Sequence, residues 1–273
     1  MENNGLRAKP LWTPSPERAA AANITAFRKF VEERTGKAIA DTVALHRWSL
    51  AEPARFWGAV WDFAGLTGDL GTRVILDGDK MPGARFFPDA SLNFAENLLR
   101  EKGPHDAIVF RAEDKAQARW SWNELRARVS RLQQAMKAMG VSPGDRVAGL
   151  LPNMPEAVAA MLAATSLGAV WSSASPDFGP RGVLDRFGQI EPKLFITCDA
   201  YWYGGKSIEM AEKLNEIVPA LKTAERVVIA DYLGSAGAVA KGLDRAVTLD
   251  EFIAPFKPQA LQFTRLPFDH PLF

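Results

Sequence analysis

A single cysteine among 273 residues, Cys198, rules out an internal disulfide and fits a reducing compartment. Histidine is almost as scarce: His46, His105 and His270 lie far from one another and from Cys198, so no metal-ligand spacing exists and each is read as a surface or packing residue. An excess of charge of either sign is missing too. The 33 basic and 32 acidic side chains leave a net charge of +1, which removes the electrostatic basis for a nucleic-acid or anionic-membrane partner. No apolar run approaches the ~20 residues of a membrane helix. The opening MENNGLRAKPLW carries no apolar segment of signal-peptide length, and a cytoplasmic protein is expected. No G-x-S-x-G elbow occurs, no G-x-G-x-x-G follows a strand, and there is no internal repeat.

What is present is an alternation of apolar strands and helices, clearest between Asp145 and Cys198. Arg146 to Leu151 is too short for a helix and reads as a buried strand. Asn153, Pro155 and Glu156 then have the spacing of a capped helix start, with Asn153 as cap, and Gly168 closes that helix. Ala169 to Trp171 reads as a second strand, and Pro180 opens a helix with Val183, Leu184, Phe187 and Ile190 on one face. Lys193 to Cys198 (KLFITC) is a third strand, Ser207 to Val218 a third helix and Arg226 to Ala230 (RVVIA) a fourth strand. The expected fold is α/β, a mostly parallel sheet flanked by helices, with ligands beyond the carboxyl ends of the strands. That directs attention to Pro152 to Met154, Ser172 to Gly179 and Asp199 to Lys206.

Before this pattern lies a region of different character. Ser15 to Gly36 has helical periodicity, and half of the eight tryptophans fall within the first 61 residues. Trp57 and Trp61 share a helix face and are read as a packing layer. Residues 67 to 93 are loop-rich, Leu92 to Leu99 is a short helix, and Gly103-Pro104 marks a boundary, giving a helical region at 1–104 and an α/β region at 105–273. Strands are expected at Ala107 to Phe110 and Arg119 to Trp122, and a helix from Asn123 to Met139. The glycine-rich segment after Ala230 reads as a surface loop, and Val247 to Phe256 as a short helix. The apolar end LPFDHPLF, Leu266 to Phe273, reads as a strand whose open edge would promote self-association.

Few residues signal chemistry. Cys198 ends a strand with no base in view and reads as a buried, inert thiol. Gly205, Lys206 and Ser207 imitate the tail of a phosphate-binding loop, but Ala200 stands where its first glycine belongs, and Tyr201, Trp202 and Tyr203 are bulky where amides must wrap phosphate. Lys206 at a helix N-terminus is either a phosphate contact or a solvated lysine beside a cap.

Several long segments resemble a known family: WSSASPDFGPRGVLDRFGQIEPKLF, the YGGK at Tyr203 to Lys206, FWGAVWDF at Phe56 to Phe63, and MPGARFFPDASLNFAENLLR from Met81 to Arg100. Together they are similar to the acetoacetyl-CoA synthetases, of the adenylate-forming acyl-CoA synthetase superfamily. The resemblance implies a ligase that uses ATP, CoA and Mg2+ to convert acetoacetate, through an acyl-adenylate, to acetoacetyl-CoA, AMP and pyrophosphate. It also implies that this chain matches the N-terminal portion of such an enzyme. The Ser/Thr/Gly-rich phosphate loop, the adenine and ribose segments and the small C-terminal domain would then lie outside it, leaving the isolated chain inactive and without tight cofactor binding. Neither a catalytic residue nor a metal ligand is assigned within the chain. In related acetyl-CoA synthetases the segment aligned with Tyr203 to Lys206 supplies arginines to the CoA nucleotide. Here the resemblance implies Tyr203 stacked on adenine and Lys206 near the 3′-phosphate. Two other readings stay open: a non-catalytic or split-enzyme component that binds CoA or a complementing C-terminal chain, and a small nucleotide-binding protein using Gly205 to Ser207.

Overall fold

The computed structural model describes residues 10–113 and 115–273, so most of the opening segment read above for targeting lies outside the described residues. Two compact units form. One runs to Leu66 and resumes at Leu70–Asp89; the other comprises Thr67–Asp69 and Ala90–Phe273.

The first unit is helical: α1 (Pro16–Ala20), α2 (Asn23–Thr35), α3 (Thr42–Ala51) and α4 (Pro53–Phe63). The periodic stretch from Ser15 to Gly36 thus holds two helices, because Ala22 turns extended (φ −71, ψ 141) and restarts the chain at Asn23. Ser15 caps α1 through the Arg18 amide at 3.3 Å, and Gly36 closes α2 in the left-handed region at φ +68. Phe27, Val31, Ile39, Leu45, Trp48 and Ala59 form the core. Trp61 is buried with its ring 5.3 Å from Phe87, whereas Trp57, partly exposed, meets Phe56 and Phe86 edge-on. Aromatic packing therefore accounts for both tryptophans. Four two-residue strands follow: β1 (Gly68–Asp69), β2 (Ile75–Leu76), β3 (Arg85–Phe86) and β4 (Ser91–Leu92). Of these, β2 and β3 pair antiparallel in the first unit, and β1 and β4 in the second.

The second unit continues with α5 (Phe94–Leu98), an antiparallel hairpin of β5 (Asp106–Ala112) and β6 (Ala116–Ser121), and α6 (Trp122–Ala138). Ser121 and Glu124 form a reciprocal capping box at the start of α6. Then come β7 (Arg146–Leu150), α7 (Pro155–Ser166), β8 (Val170–Ala174), α8 (Pro180–Ile190), β9 (Leu194–Cys198), β10 (Ala200–Tyr203) and β11 (Lys206–Glu209). The last elements are α9 (Ala211–Ala220), β12 (Arg226–Ala230), α10 (Ala236–Lys241), β13 (Ala246–Thr248), α11 (Leu249–Ile253) and β14 (Leu266–Pro267). Five strands form a wholly parallel sheet in the order β13-β12-β9-β7-β8. Every residue of β9 and all but the first of β7 and β12 are buried, which explains their unbroken apolar sequence. Helix α6 packs on α7 and α11, and α8 on α9. The chain leaves β7 outward to β8 and then returns past β7 to β9. Right-handed crossovers accordingly put α7 and α8 on opposite faces, and the loops after β7 and β9 diverge at the carboxyl end.

The α/β expectation holds, with four local corrections. Met154, in place of Asn153, caps α7, with Pro155 as its first residue. Residues 207–218 begin as a strand, since Gly204-Gly205 makes a two-residue hairpin turn between aromatic-rich β10 and β11, and the helix starts only at Ala211. The small-residue segment after Ala230 contains α10, whose Ala236, Val239 and Ala240 are buried at helical spacing. At the end, only Leu266–Pro267 is strand, paired antiparallel to β4, while the Trp171 amide of β8 donates to the Leu272 carbonyl at 3.0 Å.

Candidate functional site

The three loops singled out by sequence all emerge at the carboxyl end of the parallel sheet. Between the first two lies a cleft of about 400 Å³, lined by Pro152, Asn153, Met161, Trp171, Ser173 and Ser175 among others. Its floor depends on a close approach: a Cβ on Gly149 would sit 2.6 Å from two carbons of the Trp171 ring. Only glycine leaves room for that indole.

The loop after β8 is held by polar contacts from the elements beneath it. Ser175 Oγ donates to Asp177 Oδ2 at 2.8 Å, and the Lys213 ammonium donates to the Pro176 carbonyl. Burial first and the Asp177 carboxylate second push the buried Tyr201 phenol up to about 12. Burial lowers the pKa of Lys213, while Asp177 opposes the shift. Cys198 is fully buried and its thiol is pushed up to about 12, by burial first and Asp199 second, which makes it the inert residue that sequence implied.

Asp199, immediately after β9, is fully buried. Its Oδ1 accepts the Tyr232 amide at 2.7 Å, and its Oδ2 accepts the Leu233 amide at 3.2 Å, the Ser235 amide at 2.8 Å and the Ser235 hydroxyl at 2.9 Å. Burial alone would raise its pKa; the convergent donors outweigh burial and hold it below the ordinary value. Beside it, a second cleft of about 340 Å³ opens beyond β12 and β13, lined by Arg128, Glu156, Asp231, Thr248 and Asp250. Burial raises the pKa of Glu156, opposed by Arg128 and assisted by Asp250.

Tyr203 and Lys206 are brought together as directly paired residues at the tip of the β10–β11 hairpin, both exposed. Lys206 does not stand at a helix N-terminus. The turn between them, Gly204 (φ +59) and Gly205 (φ +75), presents two amides that donate to the Glu113 carboxylate at 2.8 and 2.7 Å. Glu113 lies in the β5–β6 turn, where nothing in the sequence marked it. Lys115, from the same turn, sits 5.6 Å from the Trp202 ring centre.

The hairpin tip gathers a lysine, an exposed aromatic ring and two adjacent amides in one place, the amides being occupied by Glu113. Magnesium finds no comparable place: among the described residues no group of three histidine, cysteine, aspartate or glutamate side chains converges to hold a metal ion. The glycine pair flanked by Lys206 closes a hairpin between two strands, and the helix that a phosphate loop would open starts only at Ala211, which removes the phosphate-loop reading of Gly205 to Ser207.

Comparison with known proteins gives this architecture its family. The sequence profile described as AMP-binding enzyme matches residues 95–264, and one described as acetyl-coenzyme A synthetase N-terminus matches residues 43–98. The chain belongs to the AMP-binding enzyme family. Its relatives within that family include acetoacetyl-CoA synthetases: the one from Rhizobium meliloti (strain 1021) is 51% identical over 265 residues, 97% of this chain and 40% of that protein. The one from Macaca fascicularis is 37% identical over 276 residues, 98% of this chain and 41% of its own length. A solved structure of acetoacetyl-CoA synthetase from Streptomyces lividans superposes with a TM-score of 0.89 at 39% identity, over 97% of this chain and 41% of that one. The chain therefore spans about 40% of the length of the relatives it matches. No helix among its described residues is long and apolar enough to cross a membrane.

Proposed function

We propose that this chain is the first part of an acetoacetate–CoA ligase, which in complete form joins acetoacetate to CoA at the expense of ATP, in the cytoplasm and with Mg2+. The reaction passes through an acyl-adenylate with release of pyrophosphate; the CoA thiol then displaces AMP. The observation that carries this reading is the 51% identity to a bacterial acetoacetyl-CoA synthetase along 97% of the chain. Within the part in hand, the fold supplies a sheet whose carboxyl end faces the loops at Pro152, Ser175 and Asp199. The hairpin tip at Tyr203 and Lys206 is the CoA nucleotide contact, the ring stacking on adenine and the ammonium meeting the 3′-phosphate.

The chain alone is inactive on this reading. A ligase must stabilise charge developing at the α-phosphate, and the chain spans only 40% of the acetoacetyl-CoA synthetase it matches. The test is complementation. The isolated chain, and the same chain fused to the remaining 60% of the Rhizobium meliloti relative, are assayed with ATP, CoA and acetoacetate. Thioester should form only with the fusion. Acetoacetyl-CoA made by the isolated chain would overturn its inactivity, and a fusion active on other acids but not acetoacetate would overturn the substrate.

A further inference from the structure

After β13 and α11 the chain crosses from one edge of the parallel sheet to β8 at the other, and residues 256–265 make the crossing without a helix or strand of their own. Side chains of α6 meet their backbone groups instead. Ser130 Oγ donates to the Gln259 carbonyl and accepts the Gln259 amide, both at 2.9 Å. Gln133 repeats the pattern one turn on: its Nε2 donates to the Gln262 carbonyl at 2.6 Å, and its Oε1 accepts the Gln262 amide at 3.1 Å. Gln134 Nε2 donates to the Lys257 carbonyl at 2.8 Å, and Asn93, the cap of α5, donates through Nδ2 to the Thr264 carbonyl at 2.9 Å. Positions 130, 133 and 134 share one helix face, so a helix here takes the place of a neighbouring strand. Asn93, Ser130 and Gln133 are all buried. Lifting the crossing segment away would leave their donors and acceptors, and those of the backbone, unpaired in the interior, which favours release of the whole segment over release of any one bond.

What this segment holds down is the edge of the sheet. The Thr264 amide donates to the Ser166 carbonyl at 2.9 Å, and Leu266 packs so closely over Gly168 that a Cβ there would lie 3.1 Å from it. His270 Nε2 donates to the Gly168 carbonyl at 2.9 Å, and the Leu272 carbonyl accepts the Trp171 amide. The outer side of β8, an edge strand, is thereby covered where it begins. Trp171 is also the floor of the cleft between Pro152 and Ser175. We infer that residues 256–272 act as one clasp, and that Ser130 and Gln133, neither of which lines the cleft, are positioning residues for it. Engaged, the clasp fixes β8 and the Trp171 indole beneath the cleft; released, it frees both together. The inference concerns the shape of the cleft and holds for any ligand the cleft takes.

Hydrogen exchange in the 15N-labelled chain, followed by NMR, tests this at the amides of Gln259, Gln262, Thr264 and Trp171. In the native chain these should share one opening constant. Gln133→Leu, which keeps the bulk but bonds neither the amide nor the carbonyl of Gln262, should raise all of those constants together by roughly tenfold or more and shift the Trp171 indole resonance. Ser130→Ala, a smaller excision, should act in the same direction to a lesser degree and serves in place of the leucine variant if that variant does not fold. Val239→Ala, which loosens the buried side of α10 instead, should leave the same amides unchanged. Faster exchange at Gln262 alone, with Thr264 and Trp171 unmoved, overturns the clasp. An equal rise at the amides of β9, or in Val239→Ala, also overturns it, because the change would then be a general loss of stability.

Discussion

Asp199 and Ser235 are joined twice: one carboxylate oxygen, Oδ2, accepts both the amide of Ser235 at 2.8 Å and its hydroxyl at 2.9 Å. This ties the carboxyl end of β9 to the start of α10. With the amides of Tyr232 and Leu233 on the same carboxylate, it fixes the path of the chain as it leaves β12.

Asp199→Asn should therefore be costly. The amide that replaces one oxygen would point hydrogens at backbone N–H groups, leaving buried donors unpaired, with an expected loss of about 2–3 kcal/mol. The loss should depend on pH in a defined direction. Because the folded carboxyl lies below its unfolded value near ~3.9, its contribution is fully present above that value and disappears as pH falls through the folded pKa. Urea unfolding of both proteins at pH 7 and at successively lower pH checks this; a difference in stability that does not shrink under acid conditions would argue against the ionised carboxylate as the cause.

Gly149→Ala should destabilise by about 1–3 kcal/mol, since the new methyl would lie 2.6 Å from the Trp171 ring. Trp171 is nearly inaccessible, at 4% exposure, so the indole must shift or the strand must bend. Adding Trp171→Phe, which shortens the ring system, should restore part of the lost stability. Thermal unfolding of the single and double variants measures the coupling, and strictly additive losses would place the strain elsewhere.

Tyr203→Ala and Lys206→Ala in a complete enzyme should each raise the apparent KM for CoA about fivefold, a loss near 1 kcal/mol, with little change for ATP. Steady-state kinetics with each substrate varied in turn decides it. Parallel rises for both would indicate a general disturbance of the fold.

Cys198 should report global opening. With the thiol buried and pushed up to about 12, iodoacetamide should label it far more slowly in the native chain than in urea. The labelling midpoint should track unfolding followed by circular dichroism, and rapid labelling of the folded chain would reveal local opening around β9.

Self-association of the isolated chain is expected through exposed apolar side chains near the end, where Phe268 is 44% and Phe273 68% exposed. Light scattering over a dilution series should show mass falling with concentration. A monomer unchanged at every concentration would remove this expectation.

Periodicity carried most of the fold. The strands at Arg146, Lys193 and Arg226 were legible because a parallel strand buried on both faces must be apolar throughout, and the helices at Pro155, Pro180 and Asn123 because proline, capping residues and closing glycines bracket a 3.6-residue repeat. The hairpin at Ala200 to Glu209 was hidden by the same logic. Its Gly-Lys-Ser imitated the approach to a helix, and the aromatic alternation of Tyr201, Trp202 and Tyr203 was too short to compete. The small residues of α10 looked like a loop because alanine and glycine carry little periodic contrast until something packs against them.

What the sequence determined by itself was the α/β class and the unreactive character of Cys198. Both follow from local composition and spacing. Only the tertiary structure decided that Glu113 meets Gly204 and Gly205, that Asp199 gathers the chain after β12, and that Gly149 yields its space to Trp171. Each joins residues more than 20 positions apart, and such contacts are set by how strands are ordered in the sheet and which loops that order brings to one end.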